Sequence, residues 1–268
     1  MSGSVYEIRN LTYGYVPGNP VINRVTLDIR GGEFCAVIGP NGSGKSTLLR
    51  LMTGLIKPQS GVINLKGRPL GSTGEREIAR SVSYLPQEDE VHFPFTAGEV
   101  VLLGRWPHSG GAFFDSSEDH DAALRAMERV GITDWSGRLV TELSGGERAR
   151  VLLAKAVATE PECMLLDEPA SELDLKYRAD AYGLLRDIAN EGIAVVVVAH
   201  DIGSVARWAD RFVLISDGRV LADGNSGAVL DRAILEQAYG VEVKVISDGM
   251  DRAVFPAGNG RLKGESQR

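Results

Sequence analysis

The run from Gly39 to Thr47, GPNGSGKST, constrains this chain more than any other stretch. It fits G-x-x-x-x-G-K-[ST], follows the apolar segment Phe34–Ile38 and opens the helical pattern Lys45–Met52. Glycines at these positions let the backbone curl until successive N–H groups point at one anion. The motif therefore demands a strand, a tight turn and a helix. Gly39, Pro40, Asn41, Gly42, Ser43, Gly44, Lys45, Ser46 and Thr47 are the expected phosphate-binding residues. Lys45 suits the β- and γ-phosphates, and the Ser46 hydroxyl suits Mg²⁺.

The rest of the chain supplies a sheet for that turn. Apolar or alternating runs recur at Glu7–Leu11, Val25–Ile29, Val62–Leu65, Val82–Leu85, Met164–Leu166, Ala194–Ala199, Phe212–Ile215 and Val220–Ala222. Helical patterns at Ala97–Leu103, Asp119–Val130, Gly145–Ala158, Lys176–Asn190 and Ser204–Trp208 separate many of them. Ala194–Ala199 is apolar on both faces, as in a parallel sheet covered on both sides. The early strands alternate and carry turn signals at Pro17–Gly18 and Gly31–Gly32, which suits an antiparallel layer. From Glu88 to Val140 the pattern changes to prolines, a Ser109–Gly110–Gly111 loop signal and then helical periodicity, which reads as a mostly helical insertion. The tail 259–268 is polar and is expected to be disordered.

Composition excludes several classes. The net charge is −7 with no long basic run, which argues against nucleic-acid binding. Cys35 and Cys163 sit beside apolar runs and read as buried thiols rather than a disulfide or zinc framework. The start, MSGSVYEIRN, lacks a signal-peptide pattern. The longest apolar run, Ile193–Ala199, falls far short of the roughly 20 residues that cross a bilayer. The expectation is a cytosolic chain that meets a membrane only through a partner.

Two further apolar strands end in polar groups. Cys163–Leu166 runs into Asp167 and Glu168, and unpaired charge belongs at a strand's carboxyl end. There Asp167 is placed to hold Mg²⁺, and Glu168 to orient or deprotonate a water attacking the γ-phosphate. Ala194–Val198 leads to His200, which by the same logic can face that phosphate from the other side. Leu143–Glu147, LSGGE, is a second candidate anion site. Ser144 and Glu147 form an S-x-x-E capping box, and Gly145 and Gly146 leave the backbone N–H groups of the helix start bare.

This set, in this order, resembles the nucleotide-binding subunits of ABC transporters over nearly the whole chain. GPNGSGKST is similar to the Walker A loop, MLLDEP to Walker B, LSGGE to the family signature, and SELD (Ser171–Asp174) to the D-loop. Gln87, in SYLPQ, resembles the Q-loop glutamine, which in the family contacts Mg²⁺ and relays to the membrane partner. His200 resembles the switch histidine. Tyr15 stands where the family stacks an aromatic on adenine, with Tyr13 as the alternative. The resemblance implies an α/β P-loop NTPase cassette, with a RecA-like core, an antiparallel β subdomain and an α-helical subdomain. It places the ATP-binding domain at residues 1–258 and the helical insertion at roughly 88–160. It also implies a head-to-tail homodimer in which Ser144, Gly145 and Gly146 serve the partner's γ-phosphate.

Three positions depart from the usual pattern. Ala149 stands where glutamine is common, Ala170 where threonine or serine is usual, and Glu172 where the D-loop has a small residue or histidine. The stretch TAGEVVLLGRWPH, Thr96–His108, is similar to a segment of the iron–siderophore, haem and vitamin B12 importer ATPases. That branch implies two separate integral-membrane permease subunits, a substrate-binding protein acting indirectly, and a peripheral place on the cytoplasmic face of the inner membrane. Phe93, Phe95, Leu102, Trp106 and their neighbours are then expected to include exposed apolar contacts for a permease. Molybdate or other metal-chelate importers and soluble non-transport ABC ATPases stay open. A GTPase does not fit, because there is no N-K-x-D string.

Overall fold

The structure, a computed structural model, describes residues 3–87, 94–109, 116–248 and 251–257. The tail 259–268 and Phe93 lie outside the described residues. The elements in chain order are β1 (Ser4–Tyr13), β2 (Ile22–Arg30), β3 (Phe34–Ile38), α1 (Lys45–Met52), β4 (Ser60–Leu65), β5 (Arg68–Pro69), α2 (Glu75–Ser81), β6 (Val82–Leu85) and α3 (Ala97–Leu102). Next come α4 (Ser117–Val130), α5 (Gly145–Ala158), β7 (Cys163–Asp167), α6 (Leu175–Asn190), β8 (Ala194–Val198) and α7 (Ile202–Ala206). The last are β9 (Arg211–Ser216), β10 (Arg219–Gly224), α8 (Ser226–Val229), α9 (Arg232–Tyr239), β11 (Val243–Asp248) and β12 (Asp251–Pro256).

The central sheet has the order β10-β9-β3-β8-β7-β6, parallel except for the antiparallel edge strand β10. Its inner strands are apolar on both faces because each face is covered. In β3, Phe34, Ala36 and Ile38 enter one core, with α5, α6 and α9, while Cys35 and Val37 enter the other, with α1 and the antiparallel sheet. β8 divides the same way: Val195 and Val197 against Ala194, Val196 and Val198. The antiparallel sheet, β2-β1-β4-β5, lays Tyr6, Ile8, Leu27 and Ile63 on the second core. The Tyr6 hydroxyl reaches across to donate to the Met52 carbonyl at 2.7 Å. Both cysteines are buried and free, as their apolar neighbours imply. No helix among the described residues is long and apolar enough to cross a membrane.

Helices α3, α4 and α5 pack on one another, joined by the Thr96–His108 stretch. Thr96 caps α3 in a reciprocal capping box with Glu99, as its sequence requires. Two residues of the GRWPH segment, Arg105 and His108, fasten it to the end of α5. Arg105 is buried and bonds Asp119 at 3.1 Å, the Ala158 carbonyl at 2.8 Å and Glu160 at 2.9 Å. His108 Nε2 meets the Thr159 carbonyl at 2.9 Å. The expected exposed apolar set is met by two of the named residues and one neighbour. Phe95 and Trp106 are exposed, but Leu102 packs against the core, and its neighbour Leu103 is the one turned outward. The 3.6-residue period puts these adjacent leucines on different sides of the turn.

Candidate nucleotide site

Sheet order assembles the site. The loops at the carboxyl ends of β3, β8, β7 and β6 carry the P-loop, His200, the Asp167–Glu168 pair and Gln87, and these four strands are consecutive in space. Four motifs separated in sequence thus emerge side by side on one edge, where open α/β sheets bind ligands. The P-loop, Tyr15, Gln87, Glu168 and His200 line one open cleft of about 510 Å³.

The P-loop turn depends on its glycines. Gly39 has φ +148°, and a Cβ there would lie 2.0 Å from the Ile215 carbonyl oxygen. Gly44 caps α1 at φ +104°. The Lys45 ammonium is folded onto the loop and donates to the carbonyls of Gly39 and Pro40, each at 2.9 Å. Burial lowers its pKa, against the pull of Glu168 and Asp167. A cation held within the turn adds to the field of the N–H groups and of the α1 start.

The Walker B carboxylates lie in different settings. Asp167 is buried, and its Oδ1 makes no hydrogen bond. Burial raises its pKa, opposed by the Ser46 hydroxyl and by Arg50 and Lys45. An orphaned carboxylate oxygen beside a serine hydroxyl is an oxygen donor set of the kind a hard divalent cation takes, so the residues fit Mg²⁺. Successive strand side chains point to opposite faces, but Glu168 has φ +57°, which breaks that alternation as β7 ends. Its N–H donates to the Val198 carbonyl at 3.1 Å, and its Oε1 lies 2.8 Å from His200 Nε2. His200 therefore pairs with Glu168 itself, a closer relation than facing the same phosphate from opposite sides.

Tyr15 is exposed in the cleft, with its hydroxyl 3.4 Å from Thr47 Oγ1. Tyr13 lies within β1 and meets Tyr15 edge-on, at 5.1 Å between ring centroids. Of the two tyrosines, Tyr15 is the one that lines the cleft.

The signature sits apart from this cleft. Ser144 caps α5 and accepts from the Glu147 N–H at 3.3 Å, while Glu147 Oε2 accepts from the Ser144 N–H at 2.9 Å. The Glu147 pKa is held down to about 2 by the Ser144 N–H, by Arg138 and by the Ser144 hydroxyl. Ser144 is exposed, and none of Ser144, Gly145 and Gly146 lines the chain's own P-loop cleft.

Two residues that the sequence reading passed over tie these loops together. Arg178 on α6 donates to the Leu173 carbonyl in the D-loop at 3.1 Å and to Asp201, next to His200, at 3.0 Å. Burial raises the pKa of Tyr239 on α9, opposed by the backbone of Gly39 in the P-loop. Neither had a local signal: an arginine one turn into a helix and a tyrosine near a helix end are ordinary, and only long-range packing gives them a task.

Comparison with known proteins agrees with this geometry. The ABC transporter family model matches residues 22–171. The hemin import ATP-binding protein of Streptomyces coelicolor is 40% identical over 231 residues, covering 86% of this chain and 82% of its own. A solved structure described as a metal-chelate type ABC transporter in an inward-facing conformation superposes with a TM-score of 0.83 at 27% identity, over 96% of this chain and 98% of that one. A dimeric post-hydrolysis cassette bound to ADP and Pi gives a TM-score of 0.73 at 30% identity, over 82% of this chain and 98% of that one. With its P-loop-to-Walker B stretch matched by the family model and relatives aligned over most of its length, the chain belongs to the ABC transporter family as an ATP-binding, ATP-hydrolysing subunit.

Proposed function

We propose that the chain drives an importer of haem or a related metal chelate, working as a homodimer that closes around two Mg·ATP. The observation that carries the dimer is the separation of the two anion sites. The P-loop cleft holds Lys45, Glu168 and His200, whereas none of Ser144, Gly145 and Gly146 lines it and Ser144 is exposed. A triphosphate offers more charge than one P-loop satisfies, so a second helix start from a twin completes the site. The dimeric cassette with ADP and Pi supports that reading, and the hemin and metal-chelate relatives support the cargo class.

Glu168 would take the proton of the attacking water, with His200 Nε2 holding the carboxylate in place at 2.8 Å. Ser46, Asp167 and Gln87 would hold Mg²⁺, which when bound neutralises phosphate charge. Lys45 would turn from the Gly39 and Pro40 carbonyls to the phosphates. Tyr15 would stack on adenine. Accordingly Tyr15→Ala should raise the ATP dissociation constant about two- to twelve-fold, and Tyr15→Phe should leave it nearly unchanged. Equal affinity for the alanine variant by fluorescent-nucleotide titration removes Tyr15 from the site.

The permease would dock on the exposed residues near Trp106, which is 68% exposed; Leu103 and Phe95 are exposed as well. A photo-crosslinker at position 106, used in host membranes, should capture an integral-membrane protein. Purified with that partner and its substrate-binding protein, the complex should show ATPase stimulated by a haem-type chelate. A crosslinker that captures only soluble proteins contradicts the transporter reading.

A further inference from the structure

Two of the chain's departures from the family pattern, Ala149 and Glu172, line one small chamber of about 130 Å³. Gly145 and Arg148 line it too, and Gln87 and Glu168 line both it and the nucleotide cleft. From the D-loop turn, Glu172 reaches the first turn of α5. A Cβ on Gly145 would lie 2.8 Å from Glu172 Oε2 and 3.8 Å from its Cδ. Besides the Glu147 carboxylate, which is tied up in the cap, a second carboxylate of the chain's own thus lies beside the signature helix start. α5 is fourteen residues long and well capped, so its first turn carries the full positive end of the helix dipole.

We propose that Glu172 is a positioning residue that gates the signature. The proposal rests on the two-chain sandwich described above. A γ-phosphate from the partner's site and the Glu172 carboxylate cannot share one helix start, because like charges at that spacing repel strongly outside bulk water. The carboxylate must leave Gly145 before the dimer closes, so it raises the ATP concentration at which closure occurs. Ala149 has its place in this device: its methyl leaves room that a glutamine would fill, and the carboxylate moves within that room. The Arg148 guanidinium, which donates to the Leu143 carbonyl at 3.3 Å, lines the same chamber and offers the displaced carboxylate a counter-charge.

A carboxylate at a helix start shifts an equilibrium by about two- to five-fold, hence about four- to twenty-five-fold over the two sites of a symmetric dimer. The test uses the full-length Glu168→Gln chain, in which closure is separated from turnover. ATP is titrated with Mg²⁺ while light scattering reports the dimer. Because two ATP bind per dimer, the ATP midpoint moves as the square root of that factor, so adding Glu172→Gln should lower the half-closure concentration of ATP by about two- to five-fold and weaken its dependence on salt. Glu172→Ala, a second neutral variant, should match it. Glu172→Asp, which keeps the charge but draws it back by one methylene, should fall between. Midpoints within about 1.5-fold of the parent for both neutral variants, or a rise, overturn the gate while leaving the sandwich intact. If the parent and both variants stay monomeric at millimolar ATP, the sandwich fails and takes the gate with it.

Discussion

Glu168→Gln is expected to cut Mg·ATP turnover by about a hundred- to ten-thousand-fold while leaving nucleotide affinity unchanged. The amide keeps the size of the side chain but cannot accept the proton of the attacking water. The phosphate contacts come from the P-loop and remain. The setting of Glu168 makes the effect large: a positive φ turns it at the end of β7, its side chain is only 10% exposed, and His200 holds it at 2.8 Å. Turnover within about three-fold of the parent chain would remove Glu168 from the base role.

The second large effect concerns stability. Arg105→Leu is expected to lower the free energy of unfolding by about 3–5 kcal/mol, because it strands a buried carboxylate. The Arg105 and Asp119 side chains are 6% and 8% exposed. The same guanidinium also bonds the Ala158 carbonyl at the end of α5 and Glu160 beyond it. Arg105→Lys should recover only part of the loss, since a point ammonium cannot reach three acceptors in one planar fork. Urea unfolding checks this. A change below about 1 kcal/mol for the leucine variant would mean that the pair behaves like a surface ion pair.

Arg105 also shows what the sequence could and could not say. GRWPH was legible as a branch resemblance, yet nothing local revealed that its arginine and histidine are spent on the carboxyl end of α5. Motifs that couple backbone shape to chemistry were readable in advance. The P-loop needs its glycines, the signature cap needs Ser144 and Glu147 three residues apart, and charge after an apolar strand must sit at the strand's end. The alternation of β3 and β8 between two cores was likewise implied by runs without a polar face. Helix α2 was not legible, because Ile78 is its single buried residue and leaves no periodic stripe. The Glu168–His200 pair and the Arg178 link between D-loop and switch loop depend on β7 and β8 being neighbours, which no local pattern encodes. In the sequence Glu172 is legible only as a departure from the D-loop pattern; its approach to Gly145 gives the carboxylate a position.

The central claim is that one chain carries two halves of two different ATP sites. The direct measurement is the molar mass of Glu168→Gln by light scattering, with and without Mg·ATP. The account predicts a monomer without nucleotide and a dimer with it, a dimer that Ser144→Arg in the signature abolishes while ATP still binds. A Glu168→Gln chain that binds ATP and stays monomeric at high concentration, even beside its membrane partners, would contradict it.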